Sequence, residues 1–224
     1  PEKFDEKPEN LEGELFVVMT SDRGLCGGVN NQVVRKVRPL VRAAIKEKGG
    51  AALLLIGDKG KTSLEREYAR YFTTTVGDVG KVKKLTFKQI AQTAALVSEN
   101  KYLKGHLVFN KFINSSSSEP TISTFYPADI LVANTEITSK YENEGDDEIY
   151  QNFWEFSNAV RLFNASAEAY ASEVAARMAA MSSSSKNASE MLTALSLSYN
   201  RRRQAKITSE LTEIISGAAA AEDM

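Results

Sequence analysis

Lys61 and Thr62 close the stretch Leu55–Thr62, LIGDKGKT, which follows an apolar run and ends on Gly-Lys-Thr as a phosphate-binding loop does. Such a loop wraps a β-phosphate with backbone N–H groups and needs a glycine at its first position to open. Leu55 stands there instead. No apolar strand ending in a metal-holding Asp clearly follows, so ATP binding is not the expected use of this loop, and Gly57-Asp58 reads more simply as a turn and helix cap. A second stretch, Ser21–Gly28 (SDRGLCGG), lies between an apolar run and a helical pattern, where a helix N-terminus can receive an anion. Its spacing is not G-x-G-x-x-G. A tight strand-to-helix turn needing positive φ, with Asp22, Arg23, Gly24 and Gly27 as its key residues, is the first expectation.

Cys26 and His106 are the only cysteine and the only histidine. A thiolate at a helix N-terminus can act as a nucleophile, but it also needs an oriented base, and His106 sits in or beside an apolar run. One Cys and one His fall far short of a zinc site, and a lone thiol cannot form an internal disulfide. No catalytic residue, metal or cofactor is therefore expected. Arg201, Arg202 and Arg203 with Lys206 form a basic cluster, but the wide basic field and aromatic platforms of a nucleic-acid surface are lacking. Asn114, Asn164 and Asn187 begin N-x-S triplets without a secretory signal to accompany them.

The 224 residues hold 28 Lys plus Arg against 29 Asp plus Glu, so no general charge favours nucleic acid or an anionic membrane. An apolar share of 42% is ordinary for a globular chain. No run of about 18 apolar residues exists, so no transmembrane segment is expected.

Glycine and proline mark the elements that would carry these groups. All five prolines lie at or before Pro127, and only Gly145 and Gly217 follow Gly105. Residues 1–13 read as a charged lead-in. Glu14–Thr20 and Ala51–Ile56 are continuous apolar runs that suit buried strands, and Val29–Lys48 between them carries apolar residues on a 3.6-residue stripe. Asp58–Tyr71 and Lys88–Lys101 read as further helices, His106–Phe109 as a strand, Ser115–Ser118 as a loop tip, and Thr121–Tyr126 as an antiparallel edge strand. Strand alternating with helix predicts an α/β fold over 14–145, an open and mostly parallel sheet with flanking helices.

Asp146–Ser216 contains neither glycine nor proline, and Ala, Glu, Met, Leu and Arg dominate it. A single helix over 146–217 is predicted, roughly 100 Å long at 1.5 Å per residue, followed by a short tail at 218–224. Most of it should project as an arm. Phe153, Phe156, Val160, Phe163, Ala167, Tyr170, Val174, Met178 and Met181 recur three and four apart, the seam of half a coiled coil. A partner helix is expected, from another chain, from self-association, or from a segment outside this sequence.

Ser182–Gly217, with SSSSKNASEM and YNRRRQA, together with SDRGLCGG near the start, resembles the gamma subunit family of F-type ATP synthase. The resemblance extends through IGDKGK (56–61), FNKF (109–112) and ARMAAM (176–181) and is weakest across about 65–105 and 115–150. It implies an α/β domain and a long antiparallel coiled coil that forms the central rotor shaft. The shaft would transmit torque between a membrane c-ring and an α3β3 catalytic hexamer without making bonds itself. By the YNRxRQA motif, Arg203 and Gln204, with Arg201 as a weaker companion, would contact a catch loop of one β subunit. Ile207, Leu211, Ile214 and Ile215 would turn in an apolar sleeve, and the globular part would face the c-ring and the small stalk subunits, delta and epsilon in mitochondrial naming.

The family's N-terminal helix, which pairs with the C-terminal one, is not in this sequence and is expected to be truncated or supplied elsewhere. Ser182-Ser183-Ser184, ahead of Ser185-Lys186-Asn187-Ala188, departs from the D-N-A that precedes S-K-N-A in mitochondrial relatives and loses an Asp. The wording still resembles mitochondrial members, so a peripheral place on the matrix side of the inner membrane is expected, with the cytoplasmic face of a bacterial membrane as second choice. Two other classes stay open: a small P-loop-like nucleotide-dependent enzyme using Gly57–Thr62, and a self-associating coiled-coil scaffold.

Overall fold

β1 (Glu14–Met19, ELFVVM) and β2 (Ala51–Ile56, AALLLI) carry apolar side chains on both faces, and every residue of both is buried. A strand with no polar face must be covered on both sides, and parallel sheets in α/β folds meet that demand with helices. The computed structural model describes residues 13–47, 50–78, 86–132 and 147–222. The lead-in before Gly13, most of the acidic stretch before Asp147, and residues 223–224 lie outside them.

The remaining elements are α1 (Val29–Glu47), α2 (Asp58–Tyr68) with a 3-10 turn at Ala69–Tyr71, β3 (Phe72–Val76), α3 (Phe87–Ser98), β4 (Lys104–Asn114), β5 (Ser117–Phe125), α4 (Ala128–Val132) and α5 (Asp147–Glu222). The sheet order is β3-β2-β1-β4-β5. β1 pairs parallel with β2 and β4, β2 pairs parallel with β3, and only the β4–β5 hairpin is antiparallel. The α/β class and the mostly parallel sheet match the sequence reading, and β5 is the antiparallel edge. β3 was not anticipated. Its sequence, FTTTV, is polar and only partly buried, as an edge position allows.

Two apolar clusters lie on opposite faces of the sheet. On one, Phe16, Val18, Leu53 and Leu55 meet Val33, Val37 and Val41 of α1 and Leu64 of α2. On the other, Leu15, Val17, Leu54 and Leu107 meet Ile90 and Val97 of α3 and Trp154, Ala159, Leu162 and Ala165 of α5. The chain divides into two compact units, the first ending at Ala179 and the second starting at Ala180. In the first, the early turns of α5 are part of the core.

Two expectations are corrected here. Phe163, placed on the free seam, is partly buried against the sheet cluster and meets Phe87 edge-on at 5.7 Å between ring centres. The helix also does not stop at Gly217: it runs on to Glu222. One glycine costs a helix about 1 kcal/mol relative to alanine, and the four alanines at 218–221 are the best helix formers, so the start of the expected tail is helical.

Candidate functional site

The loops at the carboxyl ends of β1 and β2 interlock through their backbones. Thr20 N–H donates to Ile56 O at 2.8 Å, Lys59 N–H to Ser21 O at 3.1 Å, and Gly57 N–H to Val76 O at 2.9 Å. Gly60 N–H donates to Thr20 Oγ1 at 2.8 Å. Asp22 Oδ1 accepts from Asp58 N–H at 3.3 Å and from Asp78 N–H at 3.2 Å, joining three loops at one carboxylate. The N–H groups of residues 57–60, which a phosphate-binding loop would aim at its ligand, are thus all committed to protein acceptors. No cradle is left for a nucleotide phosphate.

The glycines of this stretch serve packing. Gly57 has φ +97°, and a Cβ there would lie 2.1 Å from Thr20 O; at Gly60 it would lie 2.6 Å from Thr20 Oγ1. The cap expectation is half right: Gly57 occupies the cap position of α2, without a side-chain cap bond. The carboxylate that meets the Asp58 N–H comes from Asp22 across the loop.

SDRGLCGG is a strained, internally bonded turn. Gly27 takes φ +59°, as its type allows, but Leu25 also has φ +62°, an unusual conformation for a branched side chain. Leu25 is 80% exposed. The turn is held by Asn30 of α1, whose Oδ1 accepts from Ser21 N–H at 2.9 Å and whose Nδ2 donates to Ser21 Oγ at 2.8 Å and to Cys26 Sγ at 3.2 Å. Cys26 is buried. Arg177 of α5 donates through Nε to Gly24 O at 3.5 Å and pairs with Glu173 one turn earlier on the same helix. Asp22, Arg23, Gly24 and Gly27 are therefore in one loop that the long helix touches. His106 lies on β4 with Nε2 3.4 Å from Glu14 Oε2 and its ring stacked on Phe16 at 5.1 Å, away from Cys26 on its own loop.

Within the first unit, α5 has two faces of different chemistry. Trp154, Asn158, Ala159, Leu162, Ala165, Ser166, Ser172 and Glu173 are buried, while Phe153, Phe156, Val160, Tyr170, Val174 and Met178 are exposed. The buried face is fixed by directional bonds as well as packing. Trp154 Nε1 donates to Tyr126 O at 2.6 Å, Arg161 to Thr124 O at 3.0 Å, and Ser172 Oγ to Asn110 O at 3.2 Å. This sheet-facing stripe was missed in the sequence because, Trp154 and Leu162 apart, it is written in small and polar residues, while Phe153, Phe156, Val160 and Tyr170 lie exposed.

In the second unit every residue from Met181 to Ala221 is exposed. Met191, Leu192, Leu195, Tyr199, Ile207, Leu211, Ile214 and Ile215 all present apolar surface there. Arg201, Arg203 and Gln204 are exposed on the same helix. Its internal polar contacts are local: Lys206 reaches Glu210 at 3.6 Å, and Thr208 donates to Gln204 O at 2.9 Å. Among the described residues there is no group of acidic, His or Cys side chains that could hold a metal, and no helix is long and apolar enough to cross a membrane.

A sheet of this order, an interlocked loop edge without a nucleotide cradle and a helix dressed in exposed apolar residues define a subunit built for assembly. Comparison with known proteins gives the family. The family described as ATP synthase matches residues 2–221. The chain is 38% identical to the mitochondrial ATP synthase subunit gamma of Arabidopsis thaliana over 223 residues, covering 95% of this chain and 68% of that protein. It is 39% identical to the ATP synthase gamma chain of Jannaschia sp. over 217 residues, covering 92% and 73%. Among solved structures, a chain of the Tetrahymena thermophila mitochondrial ATP synthase central stalk and c-ring matches with TM-score 0.67 and 30% identity, covering 78% of this chain and 77% of that one. The chain belongs to the gamma subunit family of ATP synthase, the rotor subunits of the central stalk.

Proposed function

We propose that this chain is the torque-transmitting shaft of its ATP synthase and catalyses no reaction itself. The observation that carries the reading is the second half of α5, where a continuous helix presents apolar side chains from Met181 to Ile215 with no cover among the described residues. Such a surface calls for cover by a further helix or chain. Ile207, Leu211, Ile214 and Ile215 suit an apolar sleeve, because non-directional contacts leave few deep minima to stall rotation. Arg203 and Gln204, with Arg201 beside them, supply the directional contacts, charge-assisted hydrogen bonds to a catch loop of one β subunit. An asymmetric shaft then meets the three β subunits differently, and each rotational position favours a different set of open and closed nucleotide sites.

In this reading 14–145 with the first turns of the helix forms the foot, and the rest of the helix is half of a coiled coil. Phe153, Phe156, Val160, Tyr170, Val174, Met178 and Met181 make its seam. The foot, with the Asp22–Gly27 turn at one edge, faces the c-ring and the delta and epsilon stalk subunits, on the matrix side of the mitochondrial inner membrane. The GKT-loop enzyme is disfavoured by the committed N–H groups of 57–60.

The test is the double variant Arg203→Ala, Gln204→Ala in the assembled complex. Coupled ATP synthesis falls severalfold while urea unfolding of the isolated chain shifts by less than about 0.5 kcal/mol, as for surface substitutions in general. Unchanged synthesis would remove the catch-loop assignment. Intact-complex mass spectrometry of the tagged chain gives the partners: one copy with three α and three β chains is expected, and a free homodimer would instead support a scaffold.

A further inference from the structure

β4 runs past its neighbour in the sheet. Its parallel pairing with β1 ends at Val108, whereas its antiparallel pairing with β5 continues to Asn114. Beyond Val108, no strand among the described residues lies along the edge that faced β1, and backbone groups on such an edge need other partners. α5 supplies them from its side chains. Phe112 N–H donates to Glu168 Oε2 at 2.9 Å, and Asn110 O accepts from Ser172 Oγ at 3.2 Å. Residues two apart on a strand turn their backbone groups to the same side at a spacing of roughly 6.8 Å. Residues four apart on a helix share a face at a spacing of roughly 6.0 Å. The two repeats match closely enough for α5 to engage β4 at two successive points.

Further bonds tie this edge into the rest of the α/β unit. Asn110 Nδ2 donates to the carbonyl of Val29, the first residue of α1, at 2.9 Å. One turn beyond Glu173, Arg177 pairs with that carboxylate and reaches Gly24 O through a longer bond of 3.5 Å. Leu162 and Ala165 press the helix on the sheet, but apolar contacts are non-directional and resist separation better than sliding or turning. Hydrogen bonds fix direction as well as distance. Glu168 and Ser172 also lie near the end of the first unit, which closes at Ala179. A bar held at several points along its length loads the holds nearest the applied twist most, so twist entering from beyond Ala180 falls on these bonds before it reaches those of Arg161 and Trp154.

We propose that the paired bonds from Glu168 to Phe112 N–H and from Ser172 to Asn110 O are the lock that carries twist between the long helix and the α/β foot, which makes Glu168 and Ser172 positioning residues for rotary coupling. The inference rests on the shaft reading and adds to it the place where load enters the foot. Arg177, on its longer bond to Gly24 O, backs the lock from the next turn.

The experiment places Glu168→Ala with Ser172→Ala in the assembled complex and compares two assays that differ in whether load crosses the foot. ATP hydrolysis by the catalytic part detached from the membrane ring turns the shaft with the foot unloaded. ATP synthesis driven by a proton gradient across vesicles drives the shaft through the foot. Hydrolysis should match wild type, while synthesis falls severalfold and a bead fixed to the ring shows a softer torsional spring in single-molecule rotation. Glu168→Gln keeps an acceptor oxygen for Phe112 N–H and should retain most of the synthesis that Glu168→Ala loses. Ser172 is buried, so if its truncation blocks assembly, the half-buried Glu168→Ala and Glu168→Gln pair carries the test alone. Equal losses in both assays, unchanged synthesis, or the same loss in Glu168→Gln as in Glu168→Ala would overturn the lock. A wild-type complex whose hydrolysis does not turn the bead would instead remove the shaft reading, and the lock with it, so the two failures are told apart.

Discussion

One helix is stabilised in two ways along its length. From Trp154 to Glu173, α5 lays Trp154, Leu162 and a row of small and polar residues against a sheet and fixes them with bonds to Tyr126, Thr124 and Asn110. From Met181 to Ala221 the same helix has no buried residue. Helix propensity and i,i+4 pairs such as Lys186–Glu190 and Lys206–Glu210 are its internal support, worth a few tenths of a kcal/mol each. Secondary structure is therefore a poor guide to where stability resides: the first stretch belongs to a core, and the second borrows its stability from whatever encloses it.

The sharpest way to break this contrast is to truncate one large side chain in each stretch. Trp154→Ala should cost about 3–5 kcal/mol in urea unfolding, because it leaves a cavity and removes the bond to Tyr126 O. Leu192→Ala, 67% exposed, should shift the isolated chain by less than about 0.5 kcal/mol. Equal losses would mean that the second stretch has an intramolecular partner. Hydrogen exchange tests the same point without mutation. Amides beyond Ala180 should exchange far faster than those of β1, β2 and β4 in the isolated chain, and should slow on incorporation into the complex.

The interlocked loops give the next effect. Gly57→Ala places a Cβ 2.1 Å from Thr20 O at φ +97°, and a loss of about 2–3 kcal/mol is expected in the same unfolding assay. ATP added to the wild-type chain should produce no compensating rise in midpoint, since the loop's N–H groups are committed. A rise would reopen the nucleotide reading.

The smallest effect separates core packing from core polarity. Tyr102 packs edge-on against Phe125, its hydroxyl is buried without a hydrogen-bond partner among the described residues, and burial raises its pKa well above the ordinary tyrosine value of 10.0. The folded chain then keeps a proton that the unfolded chain loses. Stability from this group is complete below pH 10.0 and falls as pH rises above it. Tyr102→Phe should flatten that alkaline decline and change neutral-pH stability by less than about 1 kcal/mol, because no bond is lost. An unchanged alkaline slope would show that other groups set it.

Much of this architecture was legible in the residues, and for identifiable reasons. β1, β2 and the middle of β4 (Leu107–Phe109) are apolar on both faces, and α1 carries a 3.6-residue stripe, so pattern alone located them. β3 escaped because three threonines at a sheet edge need little apolar character. The sheet-facing side of α5 escaped because close approach favours Ala159, Ala165, Ser166 and Ser172, whereas Phe153, Phe156 and Val160 dominate any apolar count. At the loops, Gly57-Asp58 announced a turn, but the acceptors that occupy the N–H groups of Gly57 and Gly60 come from Val76 and Thr20, distant in sequence. Leu25 at φ +62° carries no local sign at all.

The sheet acquires its last cover late in synthesis. By the time Phe125 has left the ribosome all five strands exist, but Trp154, Leu162 and Ala165, which close one face, are still to come. At about 5–20 residues per second that interval lasts several seconds, long beside the microseconds to milliseconds of strand and helix formation. During it Leu15, Val17, Leu54 and Leu107 have α3, Tyr102 and Phe125 beside them but lack the cover that α5 supplies. A nascent chain in this condition is a natural client for a chaperone, and its aggregation should depend on translation speed between Phe125 and Glu173 more than on speed anywhere else.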